Sequence, residues 1–242
     1  MIVIPMAGLS SRFYKAGYTQ PKYMLQAHGK TLFDHALNSF EQYFATEPFL
    51  FIVRDIDGTV DFVKQSVEKL GIQQSHIYVL QEPTRGQAET VYLGLNSVPE
   101  YQGSITIFNI DTFRPDFHYP EELKQWDGYL EVFQGEGDNW SFAKAESPLS
   151  TKVIKTAEKE PISDLCSTGL YYFSDSAFFI ESYQQYIQQP VETWAKGELY
   201  IAPLYNYLIQ QNKNIHYHLI QRDDVIFCGV PDEYTAFLET SF

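Results

Sequence analysis

Cysteine is nearly absent: Cys166 and Cys228 are the only two among 242 residues, and they stand far apart. They cannot form a disulfide framework or the paired spacing of a zinc knuckle, and a reducing compartment is the simple reading. Long apolar runs are missing too. None approaches the ~18 residues that mark a transmembrane helix. The chain opens on a strand pattern with no basic and apolar leader, so no membrane span and a cytoplasmic location are expected. Positive charge is scarce: 17 Lys and Arg against 31 Asp and Glu leave a formal charge of −14. That balance argues against nucleic acid or an anionic membrane as partner, but it leaves room for a local basic site holding a small phosphorylated ligand. Neither G-x-G-x-x-G nor G-x-x-x-x-G-K-S/T occurs, so the standard nucleotide fingerprints fail and a nicotinamide cofactor is a poor reading. No internal repeat or hexapeptide β-helix pattern is found.

What is present suits a folded α/β protein. Hydrophobic residues make up 44% and aromatics 16%, with 18 Tyr and 18 Phe, enough for a core with partly buried pockets. Strand-like runs at Met1–Met6, 49–55, 76–80 and 104–111 alternate with helical patterns at Thr31–Phe44, Asp61–Leu70 and Gln87–Ser97. This βαβα order predicts a parallel, doubly wound sheet over the first ~110 residues. Strand-like runs at 128–134, 141–146, 151–159 and 167–173 follow. Helices are then expected near 175–188 and 198–212, strands near 215–220 and 225–228, and a short helix from Asp232. The expected fold class is Rossmann-like α/β/α, three-layered, with a central mixed, mostly parallel sheet. One domain is expected over 1–242, with a nucleotide-binding half (1–115) and an acceptor-binding half (116–242).

Ligands of open parallel sheets bind beyond the carboxyl ends of the strands, and four features fall there. The loop Gly8-Leu9-Ser10-Ser11-Arg12, leading on to Lys22, offers small residues that let N–H groups approach a phosphate and an arginine that can fork around its oxygens. In "QEPTRGQAET" (81–90), Gly86 opens a helix, and Gln81 and Gln87 carry amides able to read a base edge. In "FNIDTF" (108–113), Asp111 closes a buried strand, a natural position for a magnesium ligand. In "AEKEPISDLCSTGLYYF" (157–173), Glu158 and Lys159 precede a loop and a glycine-containing strand. Taken singly, each is equally readable as a turn, a cap or a solvated charge.

In order along one chain, "PMAGLSSRF", "PKYML", "QEPTRGQAETVYLG", "NIDT" and "EKEPISDLCSTGLYYF" resemble the sugar-phosphate nucleotidyltransferase family, the NDP-sugar pyrophosphorylases, with a weaker echo in "GVPDEY" (229–234). The resemblance implies transfer of a nucleoside monophosphate from an NTP to a sugar phosphate or similar phosphorylated acceptor, with release of pyrophosphate. It implies nucleotide contacts from Ala7, Gly8, Ser10, Ser11, Gln81, Gly86 and Gln87, and catalytic roles for Arg12, Lys22 and Asp111. It also implies an acceptor pocket lined by Glu158, Lys159 and Gly169, and Mg2+ on Asp111. A pyrimidine NTP and a role in bacterial surface-polysaccharide precursor synthesis are expected, and assembly as a homo-oligomer stays open. One departure stands out: the family's usual second metal-binding Asp, two residues before the glycine matching Gly229, is Phe227 here. If "DVIFCGV" and the residue before it are extended, Val225, Phe227 and Gly229 share the face toward the metal, and Asp223 falls on the same face two residues (~6.5 Å) before Val225, where it could help through water. A binding protein with weak turnover and a glycosyltransferase are the alternatives. The latter is disfavoured because Asn109-Ile110-Asp111 supplies one carboxylate, not an Asp-x-Asp pair.

Overall fold

The structure is a computed structural model, which describes residues 1–240. From the N-terminus the chain forms β1 (Ile2–Pro5), α1 (Ser11–Lys15), the short strands β2 (Gln26–Ala27) and β3 (Lys30–Thr31), α2 (Leu32–Asn38) and β4 (Phe49–Val53). Next come α3 (Thr59–Leu70), β5 (Ser75–Val79), α4 (Gln87–Leu95), β6 (Ile105–Phe108) and β7 (Thr112–Phe113). The second half adds β8 (Gly128–Gln134), β9 (Ser141–Ala145), β10 (Val153–Glu158), β11 (Leu165–Phe173) and α5 (Ser176–Tyr186). It ends with α6 (Tyr205–Gln210), β12 (Ile215–Leu219), β13 (Ile226–Phe227) and α7 (Pro231–Glu239). Local chemistry sets many of these bounds. Thr31 and Asp34 form a reciprocal capping box at the start of α2. Asp175 caps α5 by accepting from the Ala177 amide at 2.8 Å. Gly71, at φ 76°, ends α3 in the left-handed conformation.

The main sheet has nine strands. Seven run in the order β10-β9-β11-β6-β1-β4-β5; β8 also pairs with β11, and β12 with β8. Pairing is parallel at β1–β6, β4–β5 and β12–β8, and antiparallel wherever β11 takes part. This is the mixed, Rossmann-like α/β sheet expected from the sequence. All nine residues of β11 are buried, as suits a strand paired on both edges.

The chain divides into two compact units. One comprises 1–3, 82–108 and 119–222; the other comprises 4–81, 109–118 and the residues from Asp223 on. Strand β1 gives its first residues to one and its last to the other. Aromatic pairs anchor both cores: Phe173 stacks on Tyr205 at 4.5 Å in the first, and Phe33–Phe51 (5.7 Å) and Phe40–Phe117 (5.1 Å) pack in the second. Each such pair adds about 0.5–1.5 kcal/mol beyond the area it buries.

Four elements differ from the sequence expectation. The helix expected over Thr31–Phe44 stops at Asn38, and a 3-10 turn at Glu41–Tyr43 carries the chain on, while Phe40 and Phe44 stay buried. The apolar spacing is thus satisfied without a continuous helix. The helix expected over 198–212 is α only from Tyr205, because Pro203 lies in a 3-10 turn before it; proline disfavours the α conformation at the residue before it. The strand expected over 104–111 ends at Phe108, and a turn closed by Thr112 N–H to Asn109 O at 3.3 Å holds Asp111. The extended "DVIFCGV" is ordered as a strand only at Ile226–Phe227. Asp223 lies in a 3-10 turn at Arg222–Asp224, exposed and off the strand.

Candidate active site

The loop after β1 is short and largely open: Ala7 and Ser10 are half-buried, and Gly8, Leu9, Ser11 and Arg12 are exposed. Ser10 adopts φ 50°, a left-handed conformation uncommon for a residue with a Cβ. The turn is held from both sides. The Ser10 carbonyl accepts from the Phe13 and Tyr14 amides at 2.9 and 3.1 Å, and its Oγ accepts from the Lys22 amide at 3.1 Å. Among the described residues, no carboxylate pairs with Arg12. Arg54, just past the end of β4, lines a narrow cleft with Ala7, Gly8 and Leu9. The sequence reading did not single Arg54 out, although its place after a strand neighbouring β1 is a signal of the kind that flagged the others.

Pro21 leads into a 3-10 turn that starts at Lys22. The Lys22 Nζ forms an ion pair with Asp111 Oδ2, with the two side chains only 19% and 21% exposed. Lysine and carboxylate are 89 residues apart in sequence, and the structure brings them together beside Ser10. Behind the carboxylate runs the backbone of Gly229. A Cβ built there would lie 3.1 Å from Asp111 Oδ2 and 3.5 Å from Glu233 Oε2, so glycine lets the chain pass close to both acids. Glu233, also unflagged by sequence, accepts from the Gly229 and Val230 amides at 2.8 and 3.2 Å. Burial first, then Glu233 and Asp111, push the Cys228 thiol up to about 12; burial likewise pushes Cys166 up to about 11. Neither sulfur is a thiolate nucleophile at neutral pH.

Phe227 is placed by register. It pairs with Thr112 across the two-stranded β13–β7 ladder, while the Cys228 amide donates to the Asp111 carbonyl at 2.8 Å. The residue opposite Asp111 is therefore Cys228, one position on. Phe227→Asp is expected to leave the rate of pyrophosphate release no higher than the parent's and to lower the thermal midpoint, because it puts an unpaired charge beside the buried Thr112. A large gain in rate would show instead that the aromatic residue impairs a metal site.

Gln81 is exposed and donates from Nε2 to the Val79 carbonyl at 3.4 Å. Gly86, at φ 147°, caps α4 directly against another stretch of backbone. A Cβ there would stand 2.5 Å from the Leu199 carbonyl oxygen, which accepts from the Ala88 amide at 2.9 Å. No side chain fits, which is a stronger reason for glycine than a helix start. Gln87 is the first residue of α4 and is half-buried.

Glu158 ends β10, and its carboxyl is held above the usual range by burial, against the lowering pull of Ser141 and Lys159. Lys159 takes a left-handed turn at φ 55° and donates to the Tyr200 hydroxyl, with its Nζ 4.5 Å from the centre of that ring. Gly169, at φ 89°, sits where the β11–β8 register slips between Ser167 and Tyr171; a bulge with positive φ is a glycine position. Among the described residues no group of three or more His, Cys, Asp or Glu is gathered as a metal site, and no helix is long and apolar enough to cross a membrane.

A lysine held on a half-buried carboxylate, next to a strand-end loop of small residues, suits an anionic, phosphate-bearing ligand, and on a mixed Rossmann-like sheet this is the class of α/β nucleotide-handling enzymes. The family model of nucleotidyl transferases matches residues 2–224, and the chain belongs to that family. It is similar to a nucleoside-diphosphate-sugar pyrophosphorylase from Vibrio cholerae RC9, with 64% identity over 99% of this chain and 100% of that one and a TM-score of 0.97. More distant likenesses carry the fold alone. A UDP-glucose pyrophosphorylase solved with UDP-glucose shares 15% identity over 98% and 96% of the two chains, TM-score 0.76. The inositol-1-phosphate CTP transferase of T. maritima shares 14% over 98% and 92%, TM-score 0.70. No curated protein matches the chain.

Proposed function

We propose that this nucleotidyltransferase moves a nucleoside monophosphate from an NTP to a sugar phosphate or similar phosphorylated acceptor and releases pyrophosphate. The observation that carries the reading is the Lys22–Asp111 pair tied through the Lys22 amide to Ser10. It sets a cation and a hard carboxylate beside a loop whose exposed Gly8 and Ser11 suit phosphate. The V. cholerae relative, a nucleoside-diphosphate-sugar pyrophosphorylase by name, supports the sugar-phosphate class of acceptor.

In the reaction an acceptor phosphate oxygen forms a bond to the α-phosphorus as the α–β bridging bond breaks, and the electron pair leaves with pyrophosphate. Both reactants are anions, so catalysis is mostly positioning and offset charge. A phosphate monoester is already a nucleophilic dianion near neutral pH, and no general base is needed. In this reading the loop Ala7–Ser11 and Arg12 hold the triphosphate, and Lys22 moves from Asp111 to the α-phosphate. Gln81, Gly86 and Gln87 serve the base, a pyrimidine in our reading; Glu158, Lys159 and Gly169 serve the acceptor. The donor set also fits a hard cation: one carboxylate, with phosphate oxygens and water completing the shell, is how Mg2+ is held at phosphate sites. Asp111 would hold it; Asp223 is exposed in a 3-10 turn rather than on the strand of Phe227, so any part it plays would be through water. Held there, the ion would supply positive charge against the phosphate oxygens. A place in surface-polysaccharide precursor synthesis is supported by the resemblance of the N-terminal motifs alone.

The test is pyrophosphate release from each of several NTPs against a panel of phosphorylated acceptors. The expected result is release with a pyrimidine triphosphate and one class of acceptor. Release from no pair would overturn the proposal, and hydrolysis of an added sugar nucleotide without pyrophosphate would favour a glycosyltransferase.

A further inference from the structure

Glu158 is set up by two residues that the sequence reading passed over. Ser141 on β9 and Glu158 on β10 are direct antiparallel partners, so their side chains share one face. Ser141 is 8% exposed and Tyr171, on β11, 4%. The Ser141 hydroxyl donates its single proton to Glu158 Oε2, and its oxygen lies 2.9 Å from the Tyr171 hydroxyl. With that proton committed, the Tyr171 O–H must be the donor in the second bond. The chain of donors therefore runs one way, from Tyr171 to Ser141 to Glu158. No described residue donates to Glu158 Oε1, and the neighbouring Lys159 ammonium is taken by Tyr200. A half-buried carboxylate is left with one oxygen served by the protein and one open to a ligand's donor.

We propose that Tyr171 and Ser141 form a fixed hydrogen-bond relay that orients Glu158 to accept a hydrogen bond from a hydroxyl or ammonium group on the phosphorylated acceptor, which makes Ser141 a positioning residue for acceptor recognition. This rests on reading Glu158 as an acceptor-binding group. The cross-strand placement accounts for the serine: its Oγ reaches the carboxylate directly opposite. The relay also favours the ionised carboxylate over the neutral acid. Burial raises the Glu158 pKa, Ser141 lowers it, Lys159 lowers it and Glu198 raises it. Tyr171 and Tyr186 are the other titratable groups that sense this carboxylate. Loss of the serine proton removes a lowering influence, so the carboxyl of the variant protonates at a higher pH than in the parent.

The experiment compares parent, Ser141→Ala and Tyr171→Phe at saturating NTP. For Ser141→Ala, KM for the acceptor should rise about 10-fold, the effect of losing one hydrogen bond to a charged group. KM for NTP should hold, and the acid limb of kcat/KM for the acceptor should move to higher pH. Tyr171→Phe should shift the same quantities in the same directions by less. In parallel, the 13C carboxyl signal of Glu158 is titrated in the unliganded proteins, where the Ser141→Ala midpoint should lie above the parent's. Equal increases in KM for both substrates, or an unmoved acid limb, would overturn the positioning role. An unmoved carboxyl midpoint would overturn the relay itself. A parent that releases pyrophosphate with no acceptor, while the carboxyl midpoint still moves, would locate the failure in the reading of the function and overturn the acceptor role with it.

Discussion

Lys22→Ala is expected to lower kcat/KM by at least about 100-fold, because it removes a fixed cation from a transition state crowded with phosphate charge. Among the described residues the ammonium pairs with Asp111 Oδ2, and its backbone amide is bound separately to Ser10 Oγ. The amide bond survives the substitution, so the loop stays tethered while the charge is lost. Lys22→Arg separates charge from geometry. A guanidinium keeps the charge but is a planar fork where the site has a point charge, and only partial activity should return. Steady-state pyrophosphate release gives the rates, and thermal melting serves as the fold control. Near-normal turnover in the alanine variant would remove Lys22 from the phosphate site.

Asp111→Asn should weaken turnover and the dependence on Mg2+ together. Asparagine is nearly isosteric but neutral, and a hard cation draws its affinity from carboxylate charge. The backbone should not notice: the Asp111 carbonyl that accepts from Cys228 is untouched, and the space beside Gly229 is no more crowded. The change also frees Lys22 from its ion pair, so metal binding must be measured apart from rate. Mn2+ binding to the nucleotide-free protein, followed by electron paramagnetic resonance, should be lost in Asp111→Asn. A variant that kept both the parent's Mg2+ titration of turnover and its Mn2+ binding would reduce Asp111 to a turn residue with a salt bridge.

Element order was legible because it depends on local pattern. The apolar run at Ile2–Pro5, the 3.6-residue spacing ended by Gly71, and the strand-like run at 128–134 each point to one local structure, and neighbouring segments agreed. Errors came where local signals competed. Phe40 and Phe44 keep a helical spacing, but a 3-10 turn buries them equally well. The apolar face of 198–212 is continuous in sequence but is interrupted by Pro203. Asp223 looked like a face-mate of Phe227 only on the assumption that the chain was extended from Asp223 onward.

The sequence alone determined the alternating α/β pattern, the small-residue loop after the first strand and the positions of the candidate acids and bases, since propensity and periodicity act within a few residues. It also carried the family, through the order of five short motifs. The tertiary structure alone decided which of those groups meet. Lys22 reaches Asp111 across 89 residues, Ser141 reaches Glu158 and Tyr171 through a three-strand register, and Gly86 and Gly229 are glycines because other backbone or a carboxylate lies where a Cβ would be. Such partnerships arise when distant segments bury their apolar faces together. Their register is set by the packing of the whole sheet, so no window of sequence contains them.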